Sequence, residues 1–374
     1  MPDPIVLSTT ALLPLPCPSV ESRMSPQTQK ALVVTEIGKP ITLVTDWPVP
    51  QPGQGQVQVR VIVAGTNPHD QKARDFGLFI KDGLPAILTN DVVGEVTALG
   101  EGVTKYSLGD HVFAQSNFAP GWAQSGLQEY AILDADYSAK VPEGLSDDDA
   151  ATLPCNTLAP AIAMFHESNL GFPAPWTPEA SHFDYKSITL LILGGGSNCG
   201  KLGVQFAALV GIGRIIVVGG DEATLKSYGA THIIDRHGAP EDVTAKIREI
   251  VGDDLIYAFD AINPAPTQAI GINALSTTKR GKFARLLPNA PVDESQVKPK
   301  KKGYELINIF GSSHAKPEWG LQFWQNLPRY LIEKKIQPTH YTVVKGLNAD
   351  KVNEVLDAYR DGKRVVKPHV HVRE

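Results

Sequence analysis

An α/β fold, with a β-rich unit ahead of a doubly wound parallel sheet, is what the sequence predicts, and three observations lead there. Short strand-like runs separated by turns occupy much of the chain from Lys30 to Leu133. Further on, the apolar run Ile188 to Leu193 ends at Gly194, Gly195, Gly196 and Gly200, after which Leu202, Val204, Phe206, Ala207, Leu209 and Val210 give one helical face an apolar surface. Beyond Gly211, strand-like and helical stretches alternate, the βαβ pattern that builds a parallel sheet.

Residues 1–27 are rich in Pro, Ser and Thr, and no basic residue precedes the mildly apolar Ile5 to Leu15. A disordered extension is expected there rather than a signal peptide, with Met24 a second candidate start. Lys30 to Glu36 and Ile41 to Thr45 are expected to pair across Gly38-Lys39-Pro40. Trp47 to Gln56 is too rich in Pro and Gly for regular structure, whereas Val57 to Ala64 alternates as a half-buried strand does. Gly65 to Gly77, GTNPHDQKARDFG, reads as a turn, and Asn90 to Leu99, Asp110 to Ala114 and Leu127 to Leu133 as short strands.

From Ser146 to His166 a capping serine and acidic first-turn residues predict a helix. After a Pro-bearing loop from Asn169 to Tyr185, further strands are expected at Arg214 to Val218, Thr231 to Ile234, Leu255 to Asp260, Lys282 to Leu287 and Glu305 to Phe310. Trp319 to Lys335 and Asn348 to Tyr359 have helical spacing, and His369 to Val372 is expected to return to the first sheet. The implied division is 28–165 with 311–374 as one domain and 166–310 as the other.

Bulk properties exclude several classes of function. The 374 residues carry a formal charge of -5, and the only basic cluster, Lys298 to Lys302, reads as a solvated loop, so no nucleic-acid partner is expected. Cys17, Cys155 and Cys199 are odd in number and far apart, which suits a reducing, cytoplasmic setting and excludes a disulfide framework. No apolar run reaches the roughly 20 residues a membrane span needs.

The glycine stretch carries the first chemical expectation. A strand, a glycine turn and a helix offer unpaired backbone N–H groups and a positive dipole end to a pyrophosphate. Gly195, Gly196, Ser197, Asn198, Cys199 and Gly200 would form this cradle, although Asn198 stands where a glycine is often found. Asp221 closes the next strand about twenty positions on, where a ribose hydroxyl is bound.

Several motifs in this order resemble the medium-chain dehydrogenase/reductase superfamily: GTNPHDQK (Gly65 to Lys72), Asn90 to Ala114, GLQEYAIL (Gly126 to Leu133), AATLPCNTL (Ala150 to Leu158), Gly194 to Gln205, KSYGATHIID (Lys226 to Asp235) and YAFDAI (Tyr257 to Ile262). The resemblance implies a GroES-like β-rich domain and a Rossmann domain. Within the superfamily, the chain looks most like the zinc-independent quinone reductases and the trans-acting enoyl reductases that partner fungal polyketide synthases. Zinc-dependent relatives place a Cys, a Gly-His-Glu and a later Cys where this chain has Asn67, Asn90-Asp91 and Cys155, so no zinc is expected. The stretch from Val112 to Tyr130 also lacks the cysteines of the family's structural zinc.

Without a Lewis acid, reduction of an electron-poor double bond is favoured over oxidation of an alcohol. Lys72 is the candidate to stabilise the charge that develops on the carbonyl oxygen, or else a lysine that merely fixes the turn. The resemblance sets Asn67, His69 and Asp70 and, at a strand end, Leu287 beside the nucleotide; Asn67 and Asp70 are equally ordinary turn formers. Ala159 stands where relatives often carry a threonine, and Cys155 and Cys199 read as packed small residues. The resemblance implies NADPH, with Lys226 or Arg236 meeting the 2′-phosphate, while Asp221 favours NADH. A carrier-bound enone or thioester is the expected substrate and a polyketide synthase the expected partner; a free-standing quinone or enone reductase and a non-catalytic nucleotide-binding protein are the alternatives.

Overall fold

In the computed structural model, the described residues are 26–119, 121–262, 264–286 and 291–373. The expected extension up to residue 25, with Cys17 and Met24, and also Leu287, lie outside them. The chain begins with β1 (Thr28–Val34), β2 (Thr42–Pro48) and β3 (Gln56–Gly65), then α1 (Pro68–Phe76) and β4 (Ala86–Ile87). There follow β5 (Asp91–Leu99), β6 (His111–Gln115), β7 (Tyr130–Asp134), β8 (Ser138–Lys140), α2 (Asp147–Ala151) and α3 (Pro154–Phe165). The alternating part runs β9 (Thr189–Leu193), α4 (Asn198–Val210), β10 (Arg214–Val218), α5 (Glu222–Ser227), β11 (His232–Ile234), α6 (Pro240–Val251), β12 (Tyr257–Asp260), α7 (Ala265–Ala274), β13 (Gly281–Leu286) and β14 (Tyr304–Ile309). It ends with α8 (Pro317–Ile332), β15 (Tyr341–Lys345), α9 (Ala349–Arg360) and β16 (Lys367–His371).

Six parallel strands form one sheet in the order β11-β10-β9-β12-β13-β14. The first of these strands in the chain, β9, lies inside the sheet, and β10 and β12 flank it on opposite sides. Its C-terminal end is therefore a topological switch point, where an α/β sheet opens a crevice. Leu190 to Leu193 are fully buried, as a strand covered on both faces requires. A second sheet has the order β15-β16-β3-β5-β6-β8, with β7 on β3, and β16 does return to lie antiparallel to β3. A small sheet, β2-β1-β4, packs beside it.

Three elements differ from expectation. The segment read as a turn contains α1: Pro68 sits in its first turn, Asp70 accepts the Asn67 backbone N–H at 2.7 Å, and Gly77 stops it in the left-handed region at φ 72°. Its buried positions include the polar Asp70, Gln71 and Arg74, so no apolar periodicity announced it. Arg74 ties the helix to α9 through Asp357 at 2.7 Å. The helix expected from Ser146 to His166 is two helices, because Pro154 has no N–H to continue the ladder of α2 but suits the first turn of α3. The mostly exposed edge strand β15 was not anticipated at all.

Close packing fixes the glycine turn. Gly194 has φ 83°, and a Cβ on Gly200 would lie 2.2 Å from the Gly194 carbonyl oxygen. Gly200→Ala should therefore cost about 1–3 kcal/mol of stability. Urea unfolding checks this, and nucleotide affinity should fall with it because the turn must move.

Candidate active site

The Ser197 hydroxyl accepts the Gly200 N–H at 3.0 Å and so caps α4 at the switch point. Gly195 lies against the next crossover, since a Cβ there would come 2.5 Å from the Gly219 carbonyl oxygen. The Asp221 carboxylate caps α5 in turn, accepting from Thr224 N at 2.9 Å and Thr224 Oγ1 at 2.6 Å. Lys226 is drawn to Glu222 at 2.6 Å. Arg236 packs its aliphatic stem across Gly219 and has no ion pair among the described residues. Lys201, half-buried, feels the charges of both Arg364 and Asp221, and burial with the nearby Arg364 lowers its pKa.

A cavity of about 420 Å³ opens between this turn and the second sheet. Gly196, Ser197, Asn198 and Cys199 form one side of it, and Asn67, His69 and Lys72 another. Of the expected site residues these seven share the lining, while Gly195 and Gly200 shape the turn behind it. Asp70 serves the fold rather than the cavity: its two oxygens accept backbone N–H groups of Asn67 and Thr89, and burial raises its pKa despite the nearby His69. Asp221, Lys226 and Arg236 are outside the lining.

Lys72 projects from α1 without an ion pair among the described residues, and burial lowers its pKa. His69 Nε2 lies 3.1 Å from the Asn90 side-chain oxygen, and its ring meets Phe79 and Phe118 edge-on. Phe310 closes the same aromatic wall at 5.5 Å from Phe79 and 5.4 Å from Phe118, ring centre to ring centre. Tyr359, on α9, also lines the cavity, and burial raises its pKa well above the ordinary phenol value.

Lys367 and its ion pair at the cavity floor were missed in the sequence. Lys367, at the start of β16, places its ammonium 2.5 Å from Asp91 Oδ2 and 3.0 Å from Asn67 Oδ1, with side-chain exposures of 1% for Lys367 and 0% for Asp91. The other Asp91 oxygen accepts the Cys155 N–H at 2.7 Å, and the Asn67 amide donates to Asp91 at 2.8 Å. Burial pushes the Asp91 pKa up, but Lys367 and these donors outweigh it and hold the carboxyl below its ordinary range. A lysine inside the strand-like run VVKPHV is the one sequence signal that could have revealed the pair.

The alcohol dehydrogenase GroES-like domain family matches residues 53–143. A trans-enoyl reductase of Alternaria alternata is 29% identical over 90% of this chain and 96% of its own length. The enoyl reductase component of the lovastatin nonaketide synthase of Aspergillus terreus is 32% identical over 63% of this chain and 64% of its own. A mycobacterial protein solved in complex with NADPH superposes with a TM-score of 0.72 at 21% identity, over 92% of this chain and 100% of that one. These likenesses support placing the chain with the medium-chain dehydrogenase/reductase superfamily. The two large sheets are accordingly the GroES-like and Rossmann-like sheets of that superfamily, and the cavity lies between them. At the positions that the resemblance matches to the metal ligands of zinc-dependent enzymes, this chain has the Asn67 amide, Asn90-Asp91, whose carboxylate is bound to Lys367, and Cys155. Burial raises both thiols, Cys199 to about 12 and Cys155 well above its ordinary value with Asp91 adding to the effect, so neither is a nucleophile at neutral pH.

Below the floor, the Asp148 carboxylate lies 2.8 Å from His369 Nδ1 and 3.0 Å from His371 Nε2. Burial and the neighbouring Lys367 lower the His369 pKa from 6.5 to about 4, against the pull of Asp148. Between those values the unfolded chain binds a proton that the folded chain refuses, so this contribution to stability is present above the unfolded pKa and is lost as pH falls. The slope is at most about 1.4 kcal/mol per pH unit. Urea unfolding at about pH 7 and about pH 5 should show a larger loss for the wild type than for His369→Gln.

Proposed function

We propose that the protein is an NADPH-dependent, zinc-independent reductase of an activated C=C bond, acting in trans on an acyl chain presented by a polyketide synthase. The observation that carries this reading is a cavity that joins a glycine turn to one free and one paired lysine ammonium group. The Alternaria and Aspergillus relatives, whose names describe enoyl reductases, support the reaction and the synthase partner. The thiol-bearing chain, with Cys155 and Cys199 unpaired, suits the cytoplasm.

A reduced nicotinamide nucleotide, held by the turn at Gly196 to Cys199, would supply a hydride for the β-carbon of the enone or unsaturated thioester. Negative charge then grows on the carbonyl oxygen, and the protein's task is to aim donors at it. Lys72 is free to do so, and the aromatic wall of Phe79, Phe118 and Phe310 excludes water from the apolar chain behind it. Oxidation of an alcohol would need a group that draws off the hydroxyl proton. The raised thiols do not offer one, and the Asp91 carboxylate is already committed to three donors.

Lys201, whose charge acts on Asp221, and Arg236, which lies across Gly219, favour NADPH, because two cations outweigh one carboxylate that is already bonded to Thr224. Lys226, spent on Glu222, is the weaker candidate. The aromatic wall equally suits a ring, so a free-standing quinone reductase is the second reading.

Purified protein should oxidise NADPH with a crotonyl thioester at a rate that chelator leaves unchanged, and faster than with simple quinones. Brisk dehydrogenation of a plain alcohol would overturn the reading. Lys72→Met should lower kcat about 10²-fold while leaving nucleotide affinity intact, as loss of a single oxyanion donor does. Arg236→Ala should raise KM for NADPH about tenfold and leave KM for NADH unchanged, which steady-state kinetics with both nucleotides would check.

A further inference from the structure

We infer that Lys367 is a second oxyanion donor of this site, an ammonium pre-placed in the cavity by Asp91 and Asn67. The inference rests on the enoyl reductase reading above. It begins with donor arithmetic: an ammonium has three N–H groups, and the described acceptors of Lys367 are Asp91 Oδ2 and Asn67 Oδ1, which leaves one N–H without a protein partner among the described residues. The side chain is 1% exposed and lines the cavity, so bulk water does not satisfy that donor freely. A buried donor without an acceptor is costly, and a substrate oxygen in the cavity would complete it.

The position is over-determined by the fold. Gly65 allows three segments to converge, since a Cβ there would lie 3.0 Å from Asp91 Cβ, 3.0 Å from the Ala151 carbonyl oxygen and 3.1 Å from Lys367 Cε. Asn67 and Asp91 then hold the ammonium from two sides, so the cation is pre-placed rather than recruited from solvent. Lys72 approaches the same cavity from α1.

In the step itself, hydride adds to the β-carbon, the C=C π pair becomes the enolate, and the carbonyl oxygen takes the negative charge. Lys367 keeps its proton and donates a hydrogen bond to that oxygen. A proton from water then joins the α-carbon, leaving the saturated thioester and oxidised nucleotide. Asp91 acts as a positioning residue: its carboxylate fixes the ammonium and does not touch the substrate.

Two variants test this with crotonyl thioester and a simple quinone. Lys367→Met removes the donor but leaves Asp91 alone; Lys367→Gln combined with Asp91→Asn removes both charges together and guards against misfolding. We expect kcat for the thioester to fall about 10²-fold or more in both, with nucleotide affinity unchanged. The loss should be smaller for the quinone, whose product oxyanion is stabilised by its own ring, and Lys367→Arg should recover part of the thioester rate. A paired variant with wild-type kcat, or one that loses nucleotide affinity without losing kcat, would overturn the assignment while leaving the reductase reading in place. A wild-type protein inactive on every activated alkene would instead remove the reading, and this inference with it.

Discussion

A carboxylate and an ammonium removed from water cannot each stand alone, and the pairing of Asp91 with Lys367 answers that constraint under the cavity. The partners come from β5 and β16, far apart in the chain, and the pair is cemented by Asn67 ahead of α1 and by the first turn of α3. Four segments thus meet at one charge pair. The return of the C-terminal strand to the first sheet is consequently more than a closing turn of the chain, because it delivers the cation to the site.

The two sides of the cavity are built by different physics. On the Rossmann-like side, backbone dominates: glycines at positions where a Cβ would collide let the crossover segments approach, and the start of α4 presents its N–H groups. On the GroES-like side, side chains dominate, with Lys72 and Lys367 as cations and the rings of Phe79 and Phe118 lining the same cavity. Electrostatic preorganisation of this kind stabilises charge that arises during reaction and needs no group to abstract a proton beforehand. It suits a reaction whose transition state makes an oxyanion.

Much of this was legible in the sequence, and for definable reasons. Leu190 to Leu193 had to be buried on both faces, and with strands and helices alternating beyond them, the glycines that follow marked a tight strand-to-helix crossing. The return of the last strand was also foreseen, in β16. What the sequence hid depends on contacts between distant residues or on polar burial. The helix α1 buries Asp70, Gln71 and Arg74, so its periodicity was masked, although Pro68 and Gly77 marked its ends. Phe79, Phe118 and Phe310 form a wall only because loops from both sheets converge. Lys367 resembled any lysine near a terminus, and nothing local says that its partner lies in β5. Lys201 and Arg364 become neighbours only in the fold.

The most direct test of hydride delivery to an activated alkene is to follow the label. NADPH carrying deuterium at the transferable position of the nicotinamide, incubated with the protein and a crotonyl thioester, should give a saturated thioester with the deuterium on its β-carbon, seen by NMR or mass spectrometry. Deuterium found instead on the former carbonyl carbon, in an aldehyde or alcohol that retains the double bond, would contradict the account.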